Sequence, residues 1–416
     1  MATRLFEGLR RISPAILFYL LGTALVGFAL DGGIYAVLLN LYLVRMGYGP
    51  ELIGMINSAG QLTFAIFSLP AGAIGSRWGS RRALLLGMVL MMLGTLIAPL
   101  ADTLPQAWWI PWLIVNSIVI YMGMALFFVN TSPFVMEAVE GHRRAHIFSM
   151  QTGLMSLASF VGSLLSGLLP PLFASILGMS LAEPPPYRYA LMIAGVALLP
   201  ALLAIYASRP QLVRQEEYPV SPKAGAEVKR TAPILGLVLI IAIVRLLQVA
   251  GIASTNTFFN VYLDSQLHVP IAQIGLIVAT GRLLGVPAAL TSSTLAARFG
   301  ARRVVIGSSL LTVLAIMPMA FIQHWLAAAF TFVCIVAFSW VRYAVSQIFF
   351  LELVPPSRRA IVAGVTEMAA GLTFTGMTFG GGFIITIFGY RTLFLTGAAM
   401  TLLSVLVFWL AFRKTG

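Results

Sequence analysis

Residues 77–82 read Arg-Trp-Gly-Ser-Arg-Arg, and about 220 residues later residues 298–303 read Arg-Phe-Gly-Ala-Arg-Arg. A second pair of segments repeats at a similar spacing. Residues 137–145 and 352–360 both contain a glutamate, five intervening residues and then Arg-Arg-Ala. Long apolar stretches separate these polar segments. The chain therefore consists of two halves built on one plan, an arrangement typical of transporters in which one half moves against the other.

The composition excludes a soluble domain. Hydrophobic residues make up 59% of the chain, charged residues make up 9%, and the mean hydropathy is +0.95, whereas a soluble domain is about 25% charged. The net charge of +13 comes from short basic clusters between apolar stretches, which predicts membrane orientation and not nucleic-acid binding. The single cysteine, Cys334, lies in an apolar stretch, so we expect no disulfide framework, no metal site and no cofactor.

Twelve apolar stretches are long enough to cross roughly 30 Å of hydrocarbon, at about 20 residues each. The one long polar stretch, 209–231, is predicted to be a cytoplasmic linker between two six-helix bundles, 1–208 and 232–416. The stretches, numbered spans 1 to 12, are predicted near 14–44, 51–75, 83–101, 108–137, 145–175, 188–207, 232–263, 270–296, 304–322, 325–352, 360–388 and 391–412.

The basic residues determine the predicted orientation. With twelve spans, most of the 26 lysines and arginines fall on one side of the membrane, and the exceptions outside it are Arg45, Arg188 and Arg391. Lysine and arginine resist translocation during insertion, so both termini are predicted to be cytoplasmic. We expect a multi-pass, monomeric protein of the cell inner (cytoplasmic) membrane, with membrane lipids around it.

Residues 72–82 resemble the pattern G-x-x-x-D-R-x-G-R-R, which follows span 2 in the major facilitator superfamily. The twelve spans, the mid-chain linker and a degenerate second copy after span 8 extend this resemblance over essentially the whole chain. It implies an all-α membrane protein with 12 transmembrane helices in two pseudo-symmetric six-helix bundles. One departure from the family pattern matters: Ser76 stands in place of an acid that helps to latch the two halves in one conformation, and serine cannot supply that charge.

The resemblance assigns a gating role to these loops, while membrane orientation alone also accounts for their arginines. Glycine at 79 and 300 is expected to allow short turns with positive φ. The arginines are expected to donate to carbonyls at helix C-termini and to lipid head groups. The predicted gating residues are Gly72, Arg77, Gly79, Arg81, Arg82, Arg298, Gly300, Arg302 and Arg303.

Five ionisable residues lie within the spans, where each costs a few kcal/mol and indicates a functional site: Asp31, Arg245, Arg282, Arg342 and Glu367. In the family, spans 1, 4, 7 and 10 line the central cavity. The resemblance therefore implies that Asp31, Arg245 and Arg342 face the substrate route.

Each of the five has two interpretations. Asp31 is predicted to couple transport to protons or to form a structural ion pair, because a carboxylate partly removed from water can exchange a proton as access alternates. Arg245 and Arg342 are predicted to bind an anionic substrate group or to balance an acid. Arg282 is predicted to face substrate or, preferably, to pair with Glu367, which is a second candidate for proton coupling.

Three amides are further candidates for substrate binding. Asn130 precedes Thr131-Ser132-Pro133, which predicts polar groups and a kink in span 4. Gln248 and Asn256 offer hydrogen-bonding groups on span 7.

The sequence predicts a transporter and not an enzyme, because it contains no His-Glu-x-x-His and no phosphate-binding loop. A receptor or scaffold would not need two repeated halves. The preferred interpretation is a secondary active transporter that exports a small amphipathic or drug-like compound by proton-coupled alternating access. The alternative is a symporter or facilitator of an organic anion bound by the intramembrane arginines. The expected partners are a small-molecule substrate and H⁺.

Overall fold

A computed structural model describes residues 13–209, 232–355 and 358–413, and nearly all of this part of the chain is α-helical. The predicted linker lies outside the described residues, except for Arg209. The helices, numbered by span, are span 1, Pro14–Ala29 and Ile34–Arg45; span 2, Pro50–Trp78; span 3, Ser80–Ile97; span 4, Trp109–Ala138; span 5, Gly141–Leu177; span 6, Pro185–Ala207; span 7, Ala232–Ser265; span 8, Ile271–Phe299; span 9, Ala301–Phe321; span 10, Trp325–Glu352; span 11, Arg359–Phe388; and span 12, Tyr390–Phe412.

The twelve predicted membrane spans are confirmed. In the described residues, 12 helical stretches are long and apolar enough to cross a membrane. The predicted and observed ends differ by a few residues at most spans, because hydropathy marks the apolar part of a helix and not its terminal turns. Span 1 differs in kind, since it consists of two helices separated by residues 30–33.

Four helix contacts of the first half recur in the second half. Span 1 packs against spans 5 and 6, and span 3 packs against spans 4 and 6. In the second half, span 7 packs against spans 11 and 12, and span 9 packs against spans 10 and 12. The repeat in the sequence thus corresponds to a repeat in packing.

The two compact units of the structure differ from the predicted bundles at one segment. The first unit contains span 1 up to Leu39 and the chain from Ile66 through span 6. The second contains spans 7 to 12 and also Asn40–Ala65, which is the end of span 1 and the beginning of span 2.

Close backbone contacts hold Asn40–Ala65 in the second unit. A Cβ atom on Gly54 would collide with the main-chain oxygen of Thr378, and one on Gly382 would lie 2.5 Å from the main-chain oxygen of Pro50. The Nδ2 atom of Asn40 donates to the main-chain oxygen of Thr257 at 2.7 Å. Glycine therefore permits a spacing between these helices that any larger residue would prevent.

The repeated loops serve as turns and helix caps. Gly79 (φ 92°) and Gly300 (φ 84°) begin spans 3 and 9 with positive φ, as predicted. Arg81 donates to the main-chain oxygen of Ser208 at the end of span 6, at 2.8 Å. The matching Arg302 donates to that of Arg413 at the end of span 12, at 2.9 Å.

The second repeated motif has the same role. Arg144 donates to the main-chain oxygens of Val139 and Met136 at the end of span 4, both at 2.9 Å. The matching Arg359 donates to that of Leu351 at the end of span 10, at 3.2 Å. Each pair of repeated arginines satisfies carbonyls that a helix terminus leaves without a partner.

Candidate functional site

Arg342 is the most deeply buried charge of the second unit that the structure describes. It lies in the middle of span 10 with 2% of its surface exposed. Its contacts are two long hydrogen bonds, from Nη1 to Thr312 Oγ1 at 3.4 Å and from Nη2 to Ser339 Oγ at 3.3 Å. Its Nε atom is buried with no acceptor. In the described part of the chain, no carboxylate lies within ion-pairing distance of this guanidinium.

Arg245 of span 7 lies within electrostatic reach of Arg342. It is 6% exposed, and its guanidinium carbon lies 4.9 Å from the centre of the Tyr343 ring. Its Nε atom is also buried without an acceptor. One turn along span 7, Gln248 is 1% exposed and its Oε1 atom has no donor. Two like charges and an unpaired amide therefore lie together in a place where burial makes each one costly.

Glu367 lies on span 11 beside this pair, and its side chain is exposed. Its Oε1 atom accepts hydrogen bonds from the hydroxyl of Tyr343 at 3.1 Å and from Nε2 of Gln347 at 2.7 Å. Glu367 also attracts Arg245 electrostatically. We name Arg245, Arg342, Tyr343, Gln347 and Glu367 the arginine cluster.

Arg282 does not form the preferred pair with Glu367. Among the described residues, no ion pair joins the two, because Glu367 is held by residues of span 10. The Nε atom of Arg282 is buried with no acceptor, so Arg282 joins Arg245 and Arg342 as an arginine within a span that has no carboxylate partner among the described residues. Spacing along the helices predicted the depth of both residues but not which sides of their helices face each other.

Four residues that contact these charges were not predicted from the sequence: Tyr343, Gln347, Thr312 and Ser339. Tyr343 and Gln347 are four residues apart and hence lie on one face of span 10. This spacing next to Arg342 could have indicated Tyr343 and Gln347 from the sequence.

Asp31 lies in the break of span 1, in the first unit, and its side chain is exposed. Span 1 stops being helical after Ala29 and resumes at Ile34, and Gly32 has a φ of 82°. Tyr121 of span 4 lies within electrostatic reach of the Asp31 carboxylate, and the buried Tyr35 lies beside Tyr121. An acid within a membrane span is stable where it meets water, because exposure to lipid costs several kcal/mol.

Two serines of span 5 hold the broken backbone. Ser159 Oγ donates to the main-chain oxygen of Asp31 at 2.6 Å, and Ser163 Oγ donates to that of Gly32 at 2.5 Å. A Cβ atom on Gly162 would collide with the main-chain oxygen of Phe28. Span 5 therefore satisfies carbonyls that the broken helix cannot, as irregular backbone within a membrane requires.

The remaining amides have different surroundings. Asn130 is 2% exposed, and its Nδ2 atom donates to the main-chain oxygens of Ala71 at 3.0 Å and Leu126 at 2.8 Å. Its described contacts are therefore helix packing in the first unit, where the absence of a side chain on Gly75 makes room for it. Asn256 is exposed on span 7.

A polar cluster joins the outer ends of spans 1, 2, 7 and 11, where outer means opposite to the arginine-rich loops. Arg45 and Asp264 form a two-bond ion pair at 2.7 and 2.6 Å. Thr386 Oγ1 donates to the carboxylate of Glu51 at 2.6 Å. Nearer the middle, Asn57 Nδ2 donates to Asn40 Oδ1 at 2.8 Å. We name these residues the outer cluster. All of them belong to the second unit.

The described residues contain no group of three or more His, Cys, Asp or Glu that could hold a metal ion. The predicted gating residues Arg77, Arg82, Arg298 and Arg303 are exposed. Gly72 is half-buried and would make only ordinary contact with Val129 through an added Cβ atom.

The family model described as Major Facilitator Superfamily matches residues 19–247 and 241–416. The chain belongs to the major facilitator superfamily. Its twelve spans and paired six-helix plan are those of this family of secondary transporters. No curated protein matches this superfamily member at a significant level of sequence similarity.

Solved structures share the whole fold with this superfamily member. A D-xylose–proton symporter is 16% identical with a TM-score of 0.74, and the match covers 95% of this chain and 97% of that one. The nucleoside transporter NupG is 15% identical with a TM-score of 0.71, covering 96% and 99%. A partially occluded, inward-open structure of the xylose transporter XylE from E. coli is 16% identical with a TM-score of 0.70, covering 95% and 98%. Identities this low establish the fold and leave the substrate open.

Proposed function

We propose that this protein is a secondary transporter of a small organic anion, which Arg245 and Arg342 bind within the second unit. The observation that supports this proposal is the pair of buried arginines without a carboxylate partner among the described residues. We also propose that the protein acts as a monomer in the cytoplasmic membrane, with both termini in the cytoplasm.

The two buried arginines carry an energetic cost. An arginine at the centre of a membrane helix costs about 2.5–3.5 kcal/mol on insertion scales, and a second positive charge nearby adds repulsion. Hydrogen bonds of 3.3 and 3.4 Å to two hydroxyls recover little of this cost. An oxyanion between the two guanidinium groups would recover much more, because each can donate two parallel charge-assisted hydrogen bonds.

Alternating access turns binding into transport. The anion would enter from one side, neutralise the arginines and leave on the other side. We propose Asp31 as the group that couples this cycle to protons. Its carboxylate is exposed at the break in span 1, where it can gain a proton on one side of the membrane and lose it on the other.

The second candidate function is proton-coupled export of a small amphipathic or drug-like compound. The position of Asp31 favours it, because this acid lies in a non-helical segment of the kind that forms ion sites in transporters. This candidate leaves Arg245, Arg282 and Arg342, the three arginines within the spans of the second half, without a role, so we place it second.

The test is a thermal-shift screen of the purified protein with carboxylic acids and their matched neutral amides. We expect acids, and not their amides, to raise the melting temperature of the wild-type protein, because only the acids supply the missing negative charge. Acids that bind are then tested for uptake into proteoliposomes, with and without a pH gradient.

The control is Arg391→Gln. Arg391 is an exposed arginine that stacks on Phe321, so its loss should leave the acid-induced shift intact, whereas Arg342→Gln should abolish it. Equal shifts with acids and amides, or a full shift in Arg342→Gln, would contradict the proposal. Stabilisation by cationic amphipathic compounds instead, with pH-driven transport lost in Asp31→Asn, would favour the second candidate.

A further inference from the structure

The arginine cluster contains a negative charge as well as positive ones. Glu367 is near Arg245 but forms no ion pair with it in the described structure, since its bonded partners are Tyr343 and Gln347. Tyr343 connects the two charges, because its ring lies against the Arg245 guanidinium while its hydroxyl donates to Glu367. Positive and negative groups are thus held side by side without neutralising each other directly.

The hydrogen bonds of Glu367 suit an ionised carboxylate. Both of its partners are donors, and both reach the same oxygen, Oε1. The other oxygen, Oε2, has no partner among the described residues. The side chain is exposed, and an acid at this depth is stable only where it meets water or a ligand. The two hydrogen bonds to Oε1 therefore hold the carboxylate in place, and Oε2 can accept a hydrogen bond from a ligand.

We infer that the substrate is a zwitterion of the amino-acid type, with an oxyanion bound by Arg245 and Arg342 and an ammonium group bound by Oε2 of Glu367. This inference rests on the proposed function, because it takes the anion site as given and assigns the second group of the ligand. The Glu367 carboxylate would repel an anion that lacks a cationic group, and this repulsion disfavours binding. An ammonium group would instead gain a charge-assisted hydrogen bond.

The charges of the cluster also favour an acidic member of this class. Arg245, Arg342 and Glu367 sum to one positive charge, so a ligand with two carboxylates and one ammonium group leaves the site neutral. A simple amino acid leaves one positive charge uncompensated. We therefore expect acidic amino acids to bind more tightly than neutral ones.

The experiment compares three matched compounds on each carbon skeleton: the amino acid, the acid that lacks the amino group, and the amine that lacks the carboxylate. Affinities are measured by titration of the purified wild-type protein and of Glu367→Gln. The glutamine keeps an oxygen that can accept from Tyr343 and Gln347, so the variant should fold, and its melting temperature checks this.

In the wild type we expect the amino acid to bind about tenfold or more tightly than the deaminated acid, and the amine not to bind. In Glu367→Gln this preference for the amino acid should disappear while the deaminated acid binds at least as well as before, and Glu367→Asp should restore part of the preference.

Equal or tighter binding of the deaminated acids to the wild type would overturn the zwitterion inference and leave the anion proposal standing. A preference for the amino acid that persists in Glu367→Gln would overturn the assigned role of Glu367. If no compound with a carboxylate binds, the proposed function itself is wrong.

Discussion

Individual residues divide into those that the two halves repeat and those that they do not. Arg81 and Arg302 both cap the last helix of their half, so repeated arginines have a structural role. The positions of Arg342, Arg245 and Glu367 are occupied in the first half by Phe127, Leu25 and Thr152. These three charged residues of the second half therefore have uncharged counterparts in the first half.

The depth of these charges could be predicted from the sequence, but their pairing could not. Counting residues along a helix gives height, because each residue rises 1.5 Å. It does not give the direction of the side chain relative to helices that are distant in sequence. For this reason the preferred pair of Arg282 and Glu367 does not occur in the described structure, and Tyr343 and Gln347 were overlooked.

We predict that Arg342→Met makes the empty protein more stable. The substitution removes a buried, uncompensated charge and leaves an apolar side chain of similar length, a change that stabilises by about 1–3 kcal/mol in comparable sites. The measurement is the melting temperature without ligand, with Arg391→Met as the exposed control. A lower melting temperature for Arg342→Met would show that the arginine is compensated within the protein and needs no anion.

At the scale of elements, the break in span 1 is the main feature that hydropathy did not predict. The sequence contains two consecutive glycines in this segment, in Asp31-Gly32-Gly33. Glycine permits a break without requiring one. The break also depends on hydroxyls from span 5, which follows more than a hundred residues later, and no local pattern in span 1 reports them.

We predict that Ser159→Ala and Ser163→Ala each destabilise the protein by about 1–3 kcal/mol, because each leaves a carbonyl of the broken segment unsatisfied. Thermal unfolding measures the loss. Ser175→Ala is the control, since Ser175 bonds only within span 5, to the main-chain oxygen of Leu172. If all three variants unfold at the wild-type temperature, the serines do not support the break.

The outer cluster gives a prediction about access from outside. The Arg45–Asp264 pair joins the outer ends of spans 1 and 7, so we expect its loss to make separation of these ends easier. We predict that Arg45→Ala increases the labelling rate of Asn256→Cys, in a Cys334→Ala background, by an impermeant thiol reagent about fivefold or more.

Arg188→Ala is the matched control for that experiment. Arg188 pairs with Asp102 at 3.2 Å with similar side-chain exposure, but both residues lie in the first unit. Its loss should leave the labelling rate unchanged. If Arg45→Ala and Arg188→Ala have the same effect, the outer cluster does not restrict access.

At the scale of the whole molecule, most of the fold could be predicted from the sequence. Hydropathy predicted the number of spans, because a membrane requires apolar helices of a minimum length. The repeated loops predicted two halves with the same arrangement. The grouping of Asn40–Ala65 with the second unit could not be predicted in this way. It depends on tertiary contacts such as the close approach of Gly54 to Thr378.

Orientation in the membrane is a prediction at this scale. The arginine-rich loops should face the cytoplasm, and both termini with them, because basic residues resist translocation. A fluorescent protein fused to the C-terminus should therefore fluoresce, and alkaline phosphatase fused at the same position should be inactive. The opposite pair of results would place the arginine-rich loops and both termini outside the cytoplasm, and the outer cluster on the cytoplasmic side.

We propose above that Arg342, together with Arg245, binds a substrate anion. The most direct measurement is isothermal titration of the best-binding acid into the wild-type protein and into Arg342→Gln. We expect the dissociation constant to increase at least about thirtyfold in the variant, which corresponds to a loss of 2 kcal/mol or more for one partner of a buried charge pair. An unchanged dissociation constant would show that Arg342 does not bind the anion.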